Sequence, residues 1–342
     1  VKIVTFGELM LRLSPPGFER FVQAGSFDVT YGGSEANVAV SLAQFGHEAH
    51  FVCRLPRHAI GQAAVNDLQR CGVRTDHIVR AGERIGAYFL EKGASQRPSQ
   101  VIYDRAYSAF SQMHPAELDW DAIMHKAQWL HWSGITPALG PNVQACLEAA
   151  CIAARKAGAT ISCDLNYRAK LWSEREAQHV MRPLMAQVDV CIANEEDAQR
   201  SLGFDVARTD VEQAELDEAA YGSLIRRLKE EFDFRAVAIT LRESFSASRN
   251  AWSALLHDEK DCRVPYRSAR YDIQIVDRVG AGDSFAGGLI HGLLTGSSTQ
   301  EALEFAVAAS CLKHTLAGDY NLVTAAEVEK LMGGRGSGRV ER

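Results

Sequence analysis

The sequence predicts an α/β fold: a three-layer domain with a small β appendage built from its N-terminal third. Three observations carry this prediction. From residue 129 onward, apolar strand-like runs alternate steadily with helical periodicity. The first hundred residues hold strand-like stretches with exposed polar positions, as expected of strands flanking a main sheet. Two helices open directly out of glycine turns, at Gly32-Gly33 and at Gly280-Ala281-Gly282. With 342 residues, 46% of them hydrophobic, the chain has ample material for a core.

Residues 1–6 read as a buried strand, without the long apolar stretch of a signal peptide, so the fold is expected to begin there. Residues 7–31 read as exposed antiparallel strands. Met10, Arg12 and Ser14 alternate with Leu11 and Leu13, Pro15-Pro16-Gly17 breaks the run, and residues 21–31 resume it. Gly32-Gly33-Ser34-Glu35-Ala36-Asn37 then leads into a helix with Val38, Leu42 and Phe45 on one face, closed by Gly46. A strand over 49–55 and a helix over 61–71 follow. Residues 85–91 and 100–105 form a hairpin around Lys92-Gly93-Ala94-Ser95. It carries Tyr88, Tyr103 and Arg105, the last two on one face. That face suits a hydroxylated, anionic ligand, although a solvated outer face has the same pattern.

Strands over 129–135, 160–165, 188–193 and 236–241 alternate with helices over 141–157, 173–187 and 221–232. Residues 204–218 are polar and acidic and read as an insertion loop. Residues 251–256 and 262–266 read as an antiparallel pair. Helices over 300–315 and 324–332 complete one domain spanning 1–332, and the glycine-rich 333–342 reads as a disordered tail.

A net charge of −6 supplies no large basic patch and argues against nucleic acid as a partner. Charged residues interrupt every apolar run before it reaches membrane-spanning length. The eight cysteines form no C-x-x-C and have no zinc spacing, so they read as reduced and the chain as cytoplasmic. No G-x-x-x-x-G-K-[ST] occurs, which excludes a P-loop enzyme. Phe285 stands where G-x-G-x-x-G needs glycine, and that segment lies late in the chain, which argues against a Rossmann dehydrogenase.

The stretch from Val276 to Gly288 concentrates the chemistry. A small-residue turn precedes a helix whose first N–H groups are free to meet an anion. Asp283 follows the turn directly. It is either a capping carboxylate or a base placed to take a proton beside bound phosphate. Phosphoryl transfer to a hydroxyl needs a base, donors for the moving phosphoryl, and Mg²⁺. Asp283 can be the base, the amides of Gly280, Ala281 and Gly282 the donors, and Asn194 with Asp197 a water-mediated Mg²⁺ site. The same acidic run also reads as a capped helix N-terminus. Arg168, Asn194, Arg242 and Asp283 all follow predicted strands, so they can converge beyond the strands' carboxyl ends.

The early Gly32-Gly33…Asn37 and the late Asp277…Gly280-Ala281-Gly282-Asp283 resemble the two signatures of the ribokinase-like (PfkB) carbohydrate kinases, over roughly residues 1–332. Within that family, Gly33–Val40, Tyr103-Asp104-Arg105, Asp164–Arg168 and Gly318-Asp319 most resemble the branch acting on 2-keto-3-deoxygluconate. The resemblance implies a three-layer α/β/α sandwich with a small β-sheet lid, its strands from about 8–32 and 84–107. It implies an ATP- and Mg²⁺-dependent sugar-acid kinase forming the 6-phosphate. Gly33, Ser34, Asn37, Tyr88, Tyr103, Arg105, Arg168 and Asp319 would line the sugar site with Asp283, the two arginines serving the acid's carboxylate. Asn166, Asn194, Thr240, Arg242, Ser246, Gly280 and Gly282 would meet the nucleotide. A monovalent cation and a homo-oligomer (a dimer or larger) built through the lid are also implied. Other acceptors remain open: fructose, ribose, a nucleoside or the galacto epimer of the acid, as does a non-catalytic sugar-binding role. Three positions depart from the family pattern. Arg278 replaces the usual Thr, Asp197 is the short end of Asn-x-x-Glu, and Arg242–Ser248 replaces a glycine-rich nucleotide segment.

Overall fold

The computed structural model describes residues 1–204, 218–259 and 264–334. The insertion loop expected at 204–218 and the tail expected at 333–342 fall almost wholly outside the described residues, as does Cys262. The elements run β1 Lys2–Phe6, β2 Met10–Ser14, β3 Asp28–Gly32, α1 Ser34–Gln44, β4 Glu48–Leu55, α2 Ala59–Arg70, β5 Ile78–Arg80, β6 Gly86–Glu91, β7 Gln100–Asp104 and α3 Trp120–Met124. They continue β8 Trp129–Ser133, α4 Pro141–Lys156, β9 Thr160–Asp164, α5 Glu174–Met185, β10 Val190–Ala193, α6 Glu195–Leu202 and α7 Glu218–Phe232. The chain closes with β11 Ala236–Ser246, β12 Arg249–Asp258, β13 Tyr266–Arg267, β14 Tyr271–Gln274, α8 Ala281–Thr295, α9 Thr299–Lys313 and α10 Ala325–Met332.

The main sheet runs β13-β12-β11-β10-β9-β8-β1-β4-β5, with β14 also paired to β12. From β5 to β11 every pairing is parallel, and β12 begins an antiparallel edge. Helices cover both faces, which is why β8 and β10 are buried at every position and β10 reads as an unbroken apolar run. The chain leaves β1 toward β4 on one side and later returns to β8 on the other. This reversal opens a crevice beyond the carboxyl ends of β1 and β8, the usual place for a ligand in such a sheet.

The second sheet, β3-β2-β6-β7, is the expected lid. It departs from the all-antiparallel expectation, since β2 and β6 pair in parallel. Residues 21–27 form turns and bends, and only 28–32 pair as a strand. β2, read as an exposed strand, is instead largely enclosed: Met10, Arg12 and Ser14 are buried, and Leu11 and Leu13 half-buried. Arg12 turns inward because two carboxylates wait there, and paired charge is the condition under which arginine is found inside.

The segment after Leu241 is also corrected. β11 continues through Ser246 and pairs along its length with β12, so the expected nucleotide segment is one arm of a hairpin. β12 therefore pairs chiefly with β11, and its contact with β13 involves only Leu255 and Leu256. Among the described residues no helix is long and apolar enough to cross a membrane.

Candidate active site

A cleft of about 490 Å³ lies between the carboxyl ends of the main sheet and the small sheet. The first turn of α1 forms its floor. Gly33 is required there by proximity, because a Cβ on it would run into the Glu8 carbonyl oxygen. From that turn Ser34 Oγ donates to Asp283 Oδ1 at 2.6 Å, and Asn37 Nδ2 donates to Asp283 Oδ2 at 2.7 Å. Asn166, in a left-handed turn (φ 38°) after β9, donates to Ser34 Oγ at 3.2 Å. Burial raises the Asp283 pKa above the usual carboxylate range, and the bonds from Ser34 and Asn37 pull it part of the way back.

Opposite stands the turn into α8. Gly280 takes φ +83°, and a Cβ there would strike the Asp319 carbonyl oxygen, so the position demands glycine twice over. Ala281 N–H makes a long 3.4 Å bond to Arg278 O, and Ser284 N–H begins the helix on Gly280 O. Among the described residues the amides of Gly280 and Gly282 have no protein acceptor, so they remain available to an anion.

Beneath this turn lies a buried charge network. Arg12 donates to Asp319 Oδ1 at 2.6 Å and to Asp277 Oδ2 at 2.5 Å. Tyr88 donates its hydroxyl to Asp319 Oδ2 at 2.5 Å. Asp277 also accepts from Val279 N at 3.1 Å and Gly318 N at 3.2 Å. Asp319 and Tyr88 are thus both in the cleft wall, with their polar atoms already engaged.

The two candidate arginines differ. Arg105 lies over the Tyr103 ring at 5.7 Å and is ion-paired with buried Glu8, whose other oxygen accepts from Ser108. Arg168 donates to the Tyr167 carbonyl at 2.9 Å and makes no ion pair among the described residues. It is half-buried and lines the cleft with unused donors; Arg242 and Arg278 line the same cleft and also make no ion pair among the described residues.

Thr240 and Arg242 line the cleft, the former donating to Ala193 O at 3.4 Å. Ser246 does not: it lies at the far end of the β11–β12 hairpin, where its hydroxyl accepts from Ser248 N. Its absence from the cleft wall follows from the extension of β11 through Ser246. Asn194 caps α6, accepting from Asp197 N at 2.8 Å, so the capped-helix alternative is what the backbone adopts. Asp197 Oδ1 accepts from Tyr167 N at 3.0 Å.

No three Asp, Glu, His or Cys side chains among the described residues are grouped to ligate a metal directly. Three carboxylates nonetheless share this end of the cleft: Asp164, Asp197 and Asp283. Burial first, then the charges of Asp197 and Asp283, push the Asp164 pKa well above its ordinary value. Carboxylates grouped in this way suit a hydrated divalent cation held through water and phosphate oxygens.

Several residues had no role assigned from sequence: Asp164, Arg278 and His314, which line the cleft, and Arg12 and Glu8, which are buried behind its wall. A carboxylate closing the apolar β9 was a readable signal for Asp164. Arg12 carried a contrary one, since strand alternation placed it outside. Glu35, just behind the site, is buried and accepts from Ser133 N, Ser133 Oγ and Thr136 Oγ1, tying α1 to the end of β8.

Residues 1–326 match the family model described as pfkB family carbohydrate kinase. A solved structure of 2-dehydro-3-deoxygluconokinase from Thermotoga maritima is 53% identical, superposes with a TM-score of 0.93, and is matched over 97% of this chain and 98% of its own. A 2-dehydro-3-deoxygalactonokinase of Haloferax volcanii is 35% identical over 98% of each chain. A 2-dehydro-3-deoxygluconokinase of Bacillus subtilis is 26% identical over 92% of this chain and 90% of its own. A cleft at the switch point of a parallel sheet, roofed by a small β sheet and facing a glycine turn with an adjacent aspartate, agrees with that match: the chain belongs to the pfkB family of carbohydrate kinases.

Proposed function

We propose that this carbohydrate kinase transfers the γ-phosphoryl group of ATP to the 6-hydroxyl of 2-keto-3-deoxygluconate. The observation that carries the reading is Arg168: an arginine that makes no ion pair among the described residues, in the same cleft as Asp283 and the open amides of the Gly280–Gly282 turn. A neutral hexose gives it nothing to neutralise, whereas a sugar acid brings a carboxylate. Arg105 is held by Glu8 and serves to shape the wall beside Tyr103 rather than to meet that carboxylate.

In this reading Gly33, Ser34 and Asn37 contact the sugar while fixing Asp283. The acceptor oxygen attacks the γ-phosphorus as its proton passes to Asp283, and ADP leaves with the bond to the bridging oxygen. The amides of Gly280, Ala281 and Gly282 take the charge on the moving phosphoryl. Thr240, Arg242 and Asn166 lie on the nucleotide side. Asn194, Asp197 and Asp164 would hold hydrated Mg²⁺, which when bound screens the phosphate charge.

The galacto epimer of the acid is the second reading, favoured by the Haloferax relative, because both epimers bring the same carboxylate and 6-hydroxyl. A panel with ATP and Mg²⁺ decides: both 2-keto-3-deoxy acids against fructose, ribose and a nucleoside. We expect the gluconate form to give the highest kcat/KM and neutral sugars to be poor. Arg168→Ala should lower kcat/KM for the acid by about ten- to a hundredfold, the scale of one lost charged hydrogen bond, and leave neutral acceptors unchanged. Equal losses on both classes would refute the carboxylate contact. We further infer a dimer or larger assembly through the lid, whose outer positions Val29 and Ile102 are exposed; sedimentation equilibrium showing only monomer would exclude it.

A further inference from the structure

Lys313, in the last turn of α9, is one of the largest fully buried side chains in the molecule. Its ammonium donates to the main-chain oxygens of Leu316 at 3.3 Å and Asp277 at 3.5 Å. No carboxylate forms an ion pair with it among the described residues. The Asp277 carboxylate is taken up by Arg12, Gly318 N and Val279 N, and that of Asp319 by Arg12 and Tyr88. Lys313 is therefore a buried cation held by carbonyl oxygens, the ligand type that suits a hard monovalent ion.

The two carbonyls belong to the two loops that define the anion turn. Asp277 leads into Gly280, and Leu316 leads into Asp319, whose own carbonyl abuts Gly280. The backbone N–H groups of Val276 and Asp277 also donate to His314 O, so the loops are already stitched beside the ammonium. A methionine or leucine would fill the volume without the cost of burying a charge. The charge is retained where it bridges both loops and adds positive potential behind the phosphoryl site.

We propose that Lys313 is a built-in cation: a positioning residue that clamps the loops of Asp277 and Leu316 so that the Gly280–Gly282 amides stay aimed at the phosphoryl group, which frees the enzyme from any need for a bound monovalent ion. This rests on the anion-hole role given above to the Gly280–Gly282 turn. The ammonium does not touch substrate; it acts through the turn.

The test measures MgATP binding by calorimetry and turnover, both in a tetramethylammonium buffer with and without added K⁺ or NH₄⁺. Wild-type affinity and kcat should change by less than about twofold when K⁺ is added. Lys313→Met should lose about tenfold or more in kcat with the acceptor KM nearly unchanged, and should regain part of it when K⁺ or NH₄⁺ is supplied. Three results would overturn the proposal: strong activation of the wild type by K⁺, near-normal kcat in Lys313→Met, or a loss that is equal in every salt. Lys313→Gln and the wild-type K⁺ titration decide the matter if Lys313→Met does not fold. The ATP-binding arm needs no acceptor, so a wrong sugar assignment appears as a silent substrate panel with normal ATP binding.

Discussion

Asp283 has a neutral donor on each oxygen and no direct cation, which is the environment of a carboxylate kept basic enough to accept a proton. Asp283→Asn is expected to lower kcat by about a hundredfold or more while acceptor binding survives in calorimetry. Near-normal turnover would remove it from the catalytic role. Its pKa is raised by burial, so the base is lost as pH falls through that raised value; the acid limb of the kcat profile should lie above the ordinary carboxylate range. Glu35 tests the same physics away from chemistry. Burial lifts its pKa from 4.5 to about 7, against the pull of its bonds from Thr136 and Ser133. A carboxyl whose folded pKa is raised binds its proton more tightly in the native state, so its contribution to stability falls as pH rises from 4.5 toward 7. Thermal melts should show wild type losing about 3 kcal/mol relative to Glu35→Gln across that window. A difference independent of pH would show that Glu35 is ionised throughout. Asp283 was legible in the sequence because it follows a glycine turn. Glu35 was not, because nothing in a helix's first turn distinguishes a capping glutamate from one buried against a neighbouring strand.

At the scale of elements, the site is the meeting of α1, the turn into α8, and β2. The α8 turn depends on Gly280: alanine there would need both a left-handed backbone and space occupied by the Asp319 carbonyl. Gly280→Ala should therefore reduce kcat more than it reduces stability, as read by comparing turnover with urea unfolding; equal effects would mean general collapse. β2 contributes Arg12, the bridge between Asp277 and Asp319. Arg12→Met strands two buried carboxylates, and unfolding should show a loss of about 3–5 kcal/mol. A loss under about 1 kcal/mol would mean that water replaces the guanidinium. Helices and parallel strands were legible from periodicity, with ends shifted by a few residues. β2 was misread because its register is set by partners more than 260 residues away, and alternation alone cannot tell which face finds them.

The whole molecule is a parallel sheet with a second sheet set over its carboxyl edge, and the architecture follows from the β/α alternation after residue 129 and the strand-rich start. The wall of the cleft around Asp283 was the more legible, because it is built from short sequential motifs: Ser34 with Asn37, Asn166 with Arg168, Gly280 with Asp283. The wall beyond Ala193 was less so. It draws on the β11–β12 hairpin, whose strand continues past the polar residues that suggested a loop, which is why Thr240 and Arg242 reach the cleft and Ser246 does not.

The buried arginine of β2 also limits how this enzyme can be re-engineered. A small sheet over a binding cleft invites exchange, with a roof borrowed from a relative to alter the acceptor. Here the roof owns the guanidinium and the body owns the two aspartates, and Tyr88 of β6 adds a second tie to one of them. A transplanted roof that lacks the arginine would leave two unmatched acids under the Gly280–Gly282 turn, so a successful chimera must carry its crossover contacts as a set.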